Sequence, residues 1–151
     1  MDTTQNIKRY EQVYAILLAV FVVLLVLTNI IGVKLFVAFP ELLENACFGG
    51  TCTLTSGIIT YPLTFLITDT VSELYGRKRA DFMVAVGFVM SLVMVLLVQM
   101  VLALPGSSAW VNKGLGYTDV AGMQTAFESV FTLPGTLVFG SMTAYLLAQL
   151  L

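Results

Sequence analysis

The sequence predicts an all-α integral membrane protein with about four transmembrane helices. Of its 151 residues, 58% are hydrophobic and 11% are charged, whereas soluble domains carry about 25% charged residues. The mean hydropathy is +0.94. The apolar residues form long runs separated by short polar segments, and about 20 apolar residues suffice for a helix to cross a bilayer. These three observations lead to the fold class.

The first predicted span covers about residues 13–39 and follows a polar N-terminal segment, residues 1–12. No small-residue cleavage site follows a short apolar core, so we expect the span to stay as an anchor. Asn29 is expected just past the bilayer midplane, where it either hydrogen-bonds another helix or contacts a ligand. Lys34 is expected near the far interface, where its ammonium group can reach the lipid headgroups.

The loop of residues 41–53 contains both cysteines of the chain, Cys47 and Cys52. They are close enough in sequence for a disulfide bond in an oxidising compartment, and two free thiols fit the spacing equally well. The chain has no histidine, which removes the usual base of Ser-His or Cys-His catalysis and a common metal ligand. We therefore expect no metal site, no cofactor and no enzymatic activity.

The second predicted span, about residues 54–75, contains the most informative stretch. Tyr61, Phe65, Asp69 and Glu73 recur every four residues, so they share one face of a helix. We call these four residues the acidic-aromatic row. An unpaired carboxylate inside a bilayer is costly, and a polar ligand can offset that cost. The row is therefore a candidate binding site.

The row also has a purely structural interpretation. Both acids can lie at the water interface and pair with the basic cluster Arg77, Lys78 and Arg79, with Glu73 closest to Arg77 in sequence. Pro62 lies within the same predicted span. A proline removes one backbone hydrogen bond and kinks or breaks a helix, so we expect an opening near Tyr61 and Phe65.

The remaining predicted spans contain few polar residues. Span three covers about residues 82–104, and span four covers about residues 133–151. Residues 120–132 are mildly amphipathic and predict a short helix on or in the surface. Small residues at Gly140, Ala144 and Ala148 would let another helix approach closely. Such a contact would allow a homo-oligomer, and the sequence does not decide the oligomeric state.

The distribution of basic residues predicts the orientation of the protein. Lys8 and Arg9 precede span one and the cluster at residues 77–79 follows span two, while the loops at 40–53 and 105–122 together hold one basic residue. Because basic loops stay in the cytoplasm, we expect a cytoplasmic N-terminus with Asp69 and Glu73 toward that side. The net charge of −2 argues against a nucleic-acid partner.

The stretch Y-P-L-T-F-L-I-T-D-T-V-S-E-L-Y-G-R-K resembles the hallmark segment of the queuosine precursor transporter family, also called the vitamin uptake transporter family. T-N-I-I-G-V-K in span one and F-E-S-V-F-T-L-P-G-T-L-V-F-G in span four resemble other parts of that family. The resemblance implies a six-helix inner-membrane carrier for a 7-deazaguanine-type base, such as 7-cyano-7-deazaguanine or 7-aminomethyl-7-deazaguanine, used in tRNA queuosine modification. We expect this four-span chain to be a fragment of such a bundle.

In this interpretation Asp69, with Glu73 second, accepts paired hydrogen bonds from the N–H groups of the base. Tyr61 and Phe65 stack on its ring, a contact worth roughly 1–3 kcal/mol per base in other nucleobase sites. The other predicted binding residues are Thr68 and Asn29, with Ser72 and Lys34 as secondary candidates. The coupling ion, proton or sodium, stays open.

Two other functions fit the sequence. One is a membrane substrate-binding subunit for a vitamin-like solute that needs a separate energy-coupling partner. The other is a structural membrane subunit in which Asp69 and Glu73 are interfacial. The chain has no G-x-x-x-x-G-K-[ST] loop for direct use of ATP.

Overall fold

A computed structural model describes residues 3–37 and 53–150 of the chain. In this part the chain forms five α-helices: α1 (Thr3–Ile31), α2 (Tyr61–Tyr75), α3 (Arg77–Leu102), α4 (Val120–Phe131) and α5 (Leu133–Leu150). Two short strands, β1 (Leu35–Val37) and β2 (Thr53–Thr55), and three 3₁₀ turns complete it. Cys47 and Cys52 lie outside the described residues, so the predicted choice between a disulfide and free thiols stays a prediction.

Two of the described helices are long and apolar enough to cross a membrane, Gln5–Ile31 and Arg77–Leu102. At about 1.5 Å per residue both exceed the roughly 30 Å of a bilayer core. The predicted class of a helical membrane protein is therefore confirmed in its general form. The predicted number of four spans stays a prediction.

The first helix differs from the predicted span at both ends. It begins at Thr3, so the polar N-terminal segment is the first three turns of α1, and it ends at Ile31. The chain then enters β1, which pairs antiparallel with β2 through Leu35↔Thr55 and Val37↔Thr53. Residues 35–37 and 53–55 are therefore a hairpin rather than parts of spans one and two, and β-branched and aromatic residues favour such strands.

The second predicted span contains a helix of only 15 residues. Pro62 lies in the first turn of α2, where a missing N–H leaves no hydrogen bond unmade. Pro62 therefore lies at the start of the helix, and the 3₁₀ turn Ser56–Ile59 precedes it. The opening expected near Tyr61 and Phe65 stays a prediction. The other end is closed by Gly76, whose φ of 85° favours glycine. At about 22 Å, α2 is shorter than a bilayer core.

The chain divides into two compact units, Met1–Ser91 and Leu92–Leu151. In the first unit, α1 and α2 are antiparallel, because Tyr10 contacts Leu74 at one end and Thr28 contacts Thr60 at the other. Its core is formed by four buried residues of these helices and the first half of α3: Phe21, Val71, Ala80 and Met83. The face of α2 that carries Val71 therefore packs against α1 and α3 in this core.

The second unit contains the end of α3 with α4 and α5. The predicted short helix at residues 120–132 is confirmed as α4, whose first turn is capped by Asp119 accepting a 2.9 Å hydrogen bond from the N–H of Gly122. Pro134 lies buried in the first turn of α5. Ala144 and Ala148 of the predicted small-residue stripe lie outside the residues whose side chains are described.

Candidate functional site

The acidic-aromatic row lies on the outward side of α2. The opposite side of the helix buries Thr64 and Val71. Tyr61 and Phe65 have exposed fractions of 49% and 55%, and Asp69 and Glu73 are exposed as well. The shared face predicted from the four-residue spacing is thus an open surface within the first unit.

The two aromatic residues of the row contact each other. The ring centroids of Tyr61 and Phe65 are 5.0 Å apart and the ring planes meet at 76°, an edge-to-face arrangement that aromatic pairs prefer. The whole row is about 18 Å long, because twelve residues separate Tyr61 from Glu73 and each adds about 1.5 Å. A single-ring or double-ring solute therefore contacts neighbouring members only, and Phe65 with Asp69 is the one aromatic–acid pair separated by one turn.

The two carboxylates of the row have no partner among the residues that the structure describes. Within the described residues 3–37 and 53–150, neither Asp69 nor Glu73 makes a side-chain hydrogen bond or an ion pair. The ion pair of this region instead joins Arg79 to Glu11. The proposed pairing of the two acids with the basic cluster is therefore not observed in this part of the chain.

The hydroxyl residues beside the row bond to their own helix. Thr68 Oγ1 donates within α2, with acceptors at 2.9 Å on the carbonyl of Phe65 and 3.2 Å on that of Thr64. Its single hydrogen is thus engaged, and its lone pairs are left to accept a hydrogen bond from a solute. Ser72 is half-buried on the same helix.

Asn29 and Lys34 are placed away from the acids. Asn29 Nδ2 donates to Ser91 Oγ at 3.3 Å. The sequence allowed either a helix–helix hydrogen bond or a ligand contact for Asn29, and the structure shows the helix–helix hydrogen bond. Asn29 lies next to Thr28, and Thr28 contacts Thr60 just before α2. Asp69 lies nine residues after Thr60, which is about 13 Å along the helix axis. Lys34 is exposed at the start of the hairpin. The structure does not bring either residue to Asp69.

A cluster of polar and aromatic residues was not predicted from the sequence. The two terminal nitrogens of the Arg79 guanidinium, Nη1 and Nη2, donate to the two Glu11 carboxylate oxygens at 2.9 and 2.7 Å. The guanidinium carbon also lies 5.0 Å from the ring centroid of Tyr14 and 5.8 Å from that of Tyr75, within the range of cation–π attraction. We call Tyr10, Glu11, Tyr14, Tyr75 and Arg79 the α1–α3 clasp.

Tyrosine hydroxyls complete the clasp by bonding to backbone carbonyls. Tyr14 donates to the carbonyl of Arg79 at 3.0 Å, Tyr75 donates to that of Tyr10 at 3.0 Å, and Tyr10 donates to that of Leu74. The clasp fastens the start of α1 to the junction of α2 and α3. A sequence signal exists, since Tyr10 and Tyr14 lie one turn apart next to a predicted interface where tyrosines concentrate.

No cluster of three or more potential metal ligands occurs among the described residues. The arrangement on α2 offers carboxylate acceptors and flat aromatic faces, which suit a planar solute that carries N–H donors.

Comparison with known proteins adds one finding. The chain matches a family model described as "Putative vitamin uptake transporter" over residues 55–151. The matched segment covers well over half of the chain and includes the whole acidic-aromatic row. The comparison finds no match among curated proteins and none among solved structures.

Proposed function

The chain belongs to the vitamin uptake transporter family, and on this premise we propose that it imports a queuosine precursor. The family indicates a membrane transporter of the vitamin-uptake type. The proposed solute is a 7-deazaguanine-type base, such as 7-cyano-7-deazaguanine or 7-aminomethyl-7-deazaguanine, destined for queuosine in tRNA. The proposed location is the inner membrane, with a cytoplasmic N-terminus. The resemblance of residues 61–78 to the hallmark segment of queuosine precursor transporters supports this choice of solute.

The observation that carries the proposal is that the two acids of the row have no partner within the described part of the chain. A carboxylate in a membrane protein normally has a partner, because an uncompensated charge in the bilayer costs free energy. Asp69 has no partner within the described part of the chain, while Glu11 has one. A solute whose N–H groups donate to the carboxylate offsets that cost when it binds.

The spacing of the row suggests how the base is held. A planar ring stacked on Phe65 presents its edge to Asp69, one helical turn or about 6 Å away. A guanine-like edge carries adjacent N–H donors, which a carboxylate accepts as charge-assisted hydrogen bonds. Glu73, one further turn toward Gly76, is the second acid. Tyr61 extends the aromatic surface on the other side of Phe65.

The experiment measures queuosine in the tRNA of cells that cannot synthesise the precursor and receive it at low external concentration. The protein is compared with empty vector, with Asp69→Asn, and with Asp81→Asn as a matched control. Asp81 is another exposed acid and lies on α3 outside the row. Membrane levels of each variant are measured in parallel.

Restoration of queuosine by the protein and by Asp81→Asn, together with its loss in Asp69→Asn, is the expected result. Failure of the well-expressed protein to restore queuosine would rule out the deazaguanine solute. Equal restoration by all three proteins would keep the transporter and make Asp69 a structural acid.

A further inference from the structure

A cavity of about 290 Å³ lies in the second unit, where the end of α3 meets the following loop and the first half of α4. Its lining is mostly apolar, with Trp110 from the loop and Phe127 and Gln124 from α4. Ligand clefts in proteins have volumes of about 300–1,000 Å³. This cavity therefore suits a small solute and excludes a large one.

Two aromatic side chains shape the cavity. The ring centroids of Trp110 and Phe127 are 5.6 Å apart and the planes meet at 83°, so the two rings form perpendicular walls. Gly106 lets the loop pass close to the indole, because an added Cβ would lie 3.2 Å from Trp110 Cε3 and 2.7 Å from Val120 Cγ1. The indole therefore packs against the loop at Gly106 and against the Phe127 ring.

Gln124 gives the cavity a defined polarity. Its Nε2 donates to the carbonyl of Leu102 at 3.2 Å and to Glu128 Oε1 at 2.9 Å. An amide nitrogen has two hydrogens, so both are used. Among the residues that the structure describes, no donor bonds to the amide oxygen of Gln124, so this oxygen can accept a hydrogen bond. A solute that binds here through Gln124 must therefore supply a donor.

We propose that this cavity is a second solute-binding site, for a small planar heteroaromatic ring that carries an N–H donor. The ring packs against Trp110 and Phe127, and its N–H donates to Gln124 Oε1. The inference deepens the proposed function and rests on it for the class of solute.

Trp110 makes the proposal directly measurable. It is the single tryptophan of the chain, so the intrinsic fluorescence of the purified protein reports on the cavity. The protein is titrated with 7-deazaguanine and, separately, with caffeine, a planar purine without an N–H donor. We expect saturable quenching with 7-deazaguanine and an affinity about tenfold lower for caffeine, as the loss of one hydrogen bond implies.

Matched variants tie the quenching to the cavity. Phe127→Leu removes one wall, while Phe131→Leu removes a ring that contacts Phe127 at 4.5 Å without lining the cavity. Gln124→Met removes the hydrogen-bond acceptor and keeps a side chain of similar size. Gln99→Met makes the same change on α3, at a residue that does not line the cavity. We expect about tenfold weaker 7-deazaguanine binding for Gln124→Met and for Phe127→Leu, and no change for either control.

Three results would overturn the proposal: no saturable quenching, equal binding of the two purines, or equal effects of cavity and control variants. Measuring both quenching and import in the wild-type protein separates this proposal from the proposed function. Quenching without import in the wild-type protein contradicts the carrier and keeps the cavity site, whereas import without quenching contradicts the cavity site alone.

Discussion

Replacing Asp69 by asparagine should separate stability from function. Within the described part of the chain the Asp69 carboxylate is exposed and has no partner, so the substitution breaks no hydrogen bond. Asparagine has nearly the same shape, so it leaves no cavity. On insertion scales an aspartate costs at most about 2.5–3.5 kcal/mol, at the centre of a spanning helix, and less toward an interface. A neutral amide recovers part of that cost. The expected change in the free energy of unfolding therefore lies between zero and a gain of about 3 kcal/mol.

The assay is thermal unfolding of the purified protein in lipid nanodiscs, followed by helix content and by Trp110 fluorescence. Glu11→Gln is the matched control, since it also removes one negative charge but breaks the ion pair with Arg79 and replaces one of the two accepting oxygens by an amide NH2 group. We expect Asp69→Asn to melt at or above the wild-type temperature and Glu11→Gln to melt below it. Import should be lost in Asp69→Asn. In Glu11→Gln, import should decrease only in proportion to the amount of folded protein.

A clear fall in the melting temperature of Asp69→Asn would refute this reasoning, because it would reveal a partner that Asp69 loses. Unchanged import in the same variant would refute the role of Asp69 in binding. The two readouts are independent, so each part of the argument can fail by itself.

Two further predictions concern packing in the first unit. Thr28→Val and Thr60→Val should each lower the free energy of unfolding, measured by chemical denaturation, by about 1–2 kcal/mol. The double variant should lose less than the sum of the two, because the two buried hydroxyls share one 2.6 Å hydrogen bond. Gly87→Leu should lower the melting temperature, since an added Cβ already lies 2.7 Å from Phe21 Cε1 and overpacking costs about 1–3 kcal/mol. Gly140→Leu is its control, with no described atom within 4 Å of an added Cβ; equal effects would contradict the packing argument.

Hydropathy located the helices well where apolar runs have clear ends. The predicted span at residues 82–104 corresponds to α3, which starts five residues earlier at Arg77 because Gly76 ends α2. The predicted span at 133–151 corresponds to α5. Hydropathy failed at the hairpin, since L-F-V and T-L-T are as apolar as a helix end. Only the pairing of Leu35 with Thr55, twenty residues apart, distinguishes them, and a local pattern does not contain that contact.

The four-residue spacing predicted which residues share the outward face of α2, and it could not predict which of the acids are paired. The partner of Arg79 is Glu11, 68 residues earlier in the chain. Glu73 is only four residues from Arg77 and was the closer sequence candidate for a basic partner. Tertiary packing of α1 against α2 overrides that local preference, because it brings Tyr10, Glu11 and Tyr14 to the junction before α3.

The pairing of Arg79 with Glu11 also limits how the acidic-aromatic row can work. Arg79 makes two hydrogen bonds to Glu11 and lies over the Tyr14 ring, so moving it to Glu73 would cost all of these contacts. Within the described residues the hydroxyl hydrogen of Thr68 is used inside α2. Neither Arg79 nor the Thr68 hydroxyl can therefore donate to the row without losing these contacts. In the proposed function, a solute with adjacent N–H groups would supply the donors, and its binding would then offset the cost of a carboxylate without a partner in the membrane.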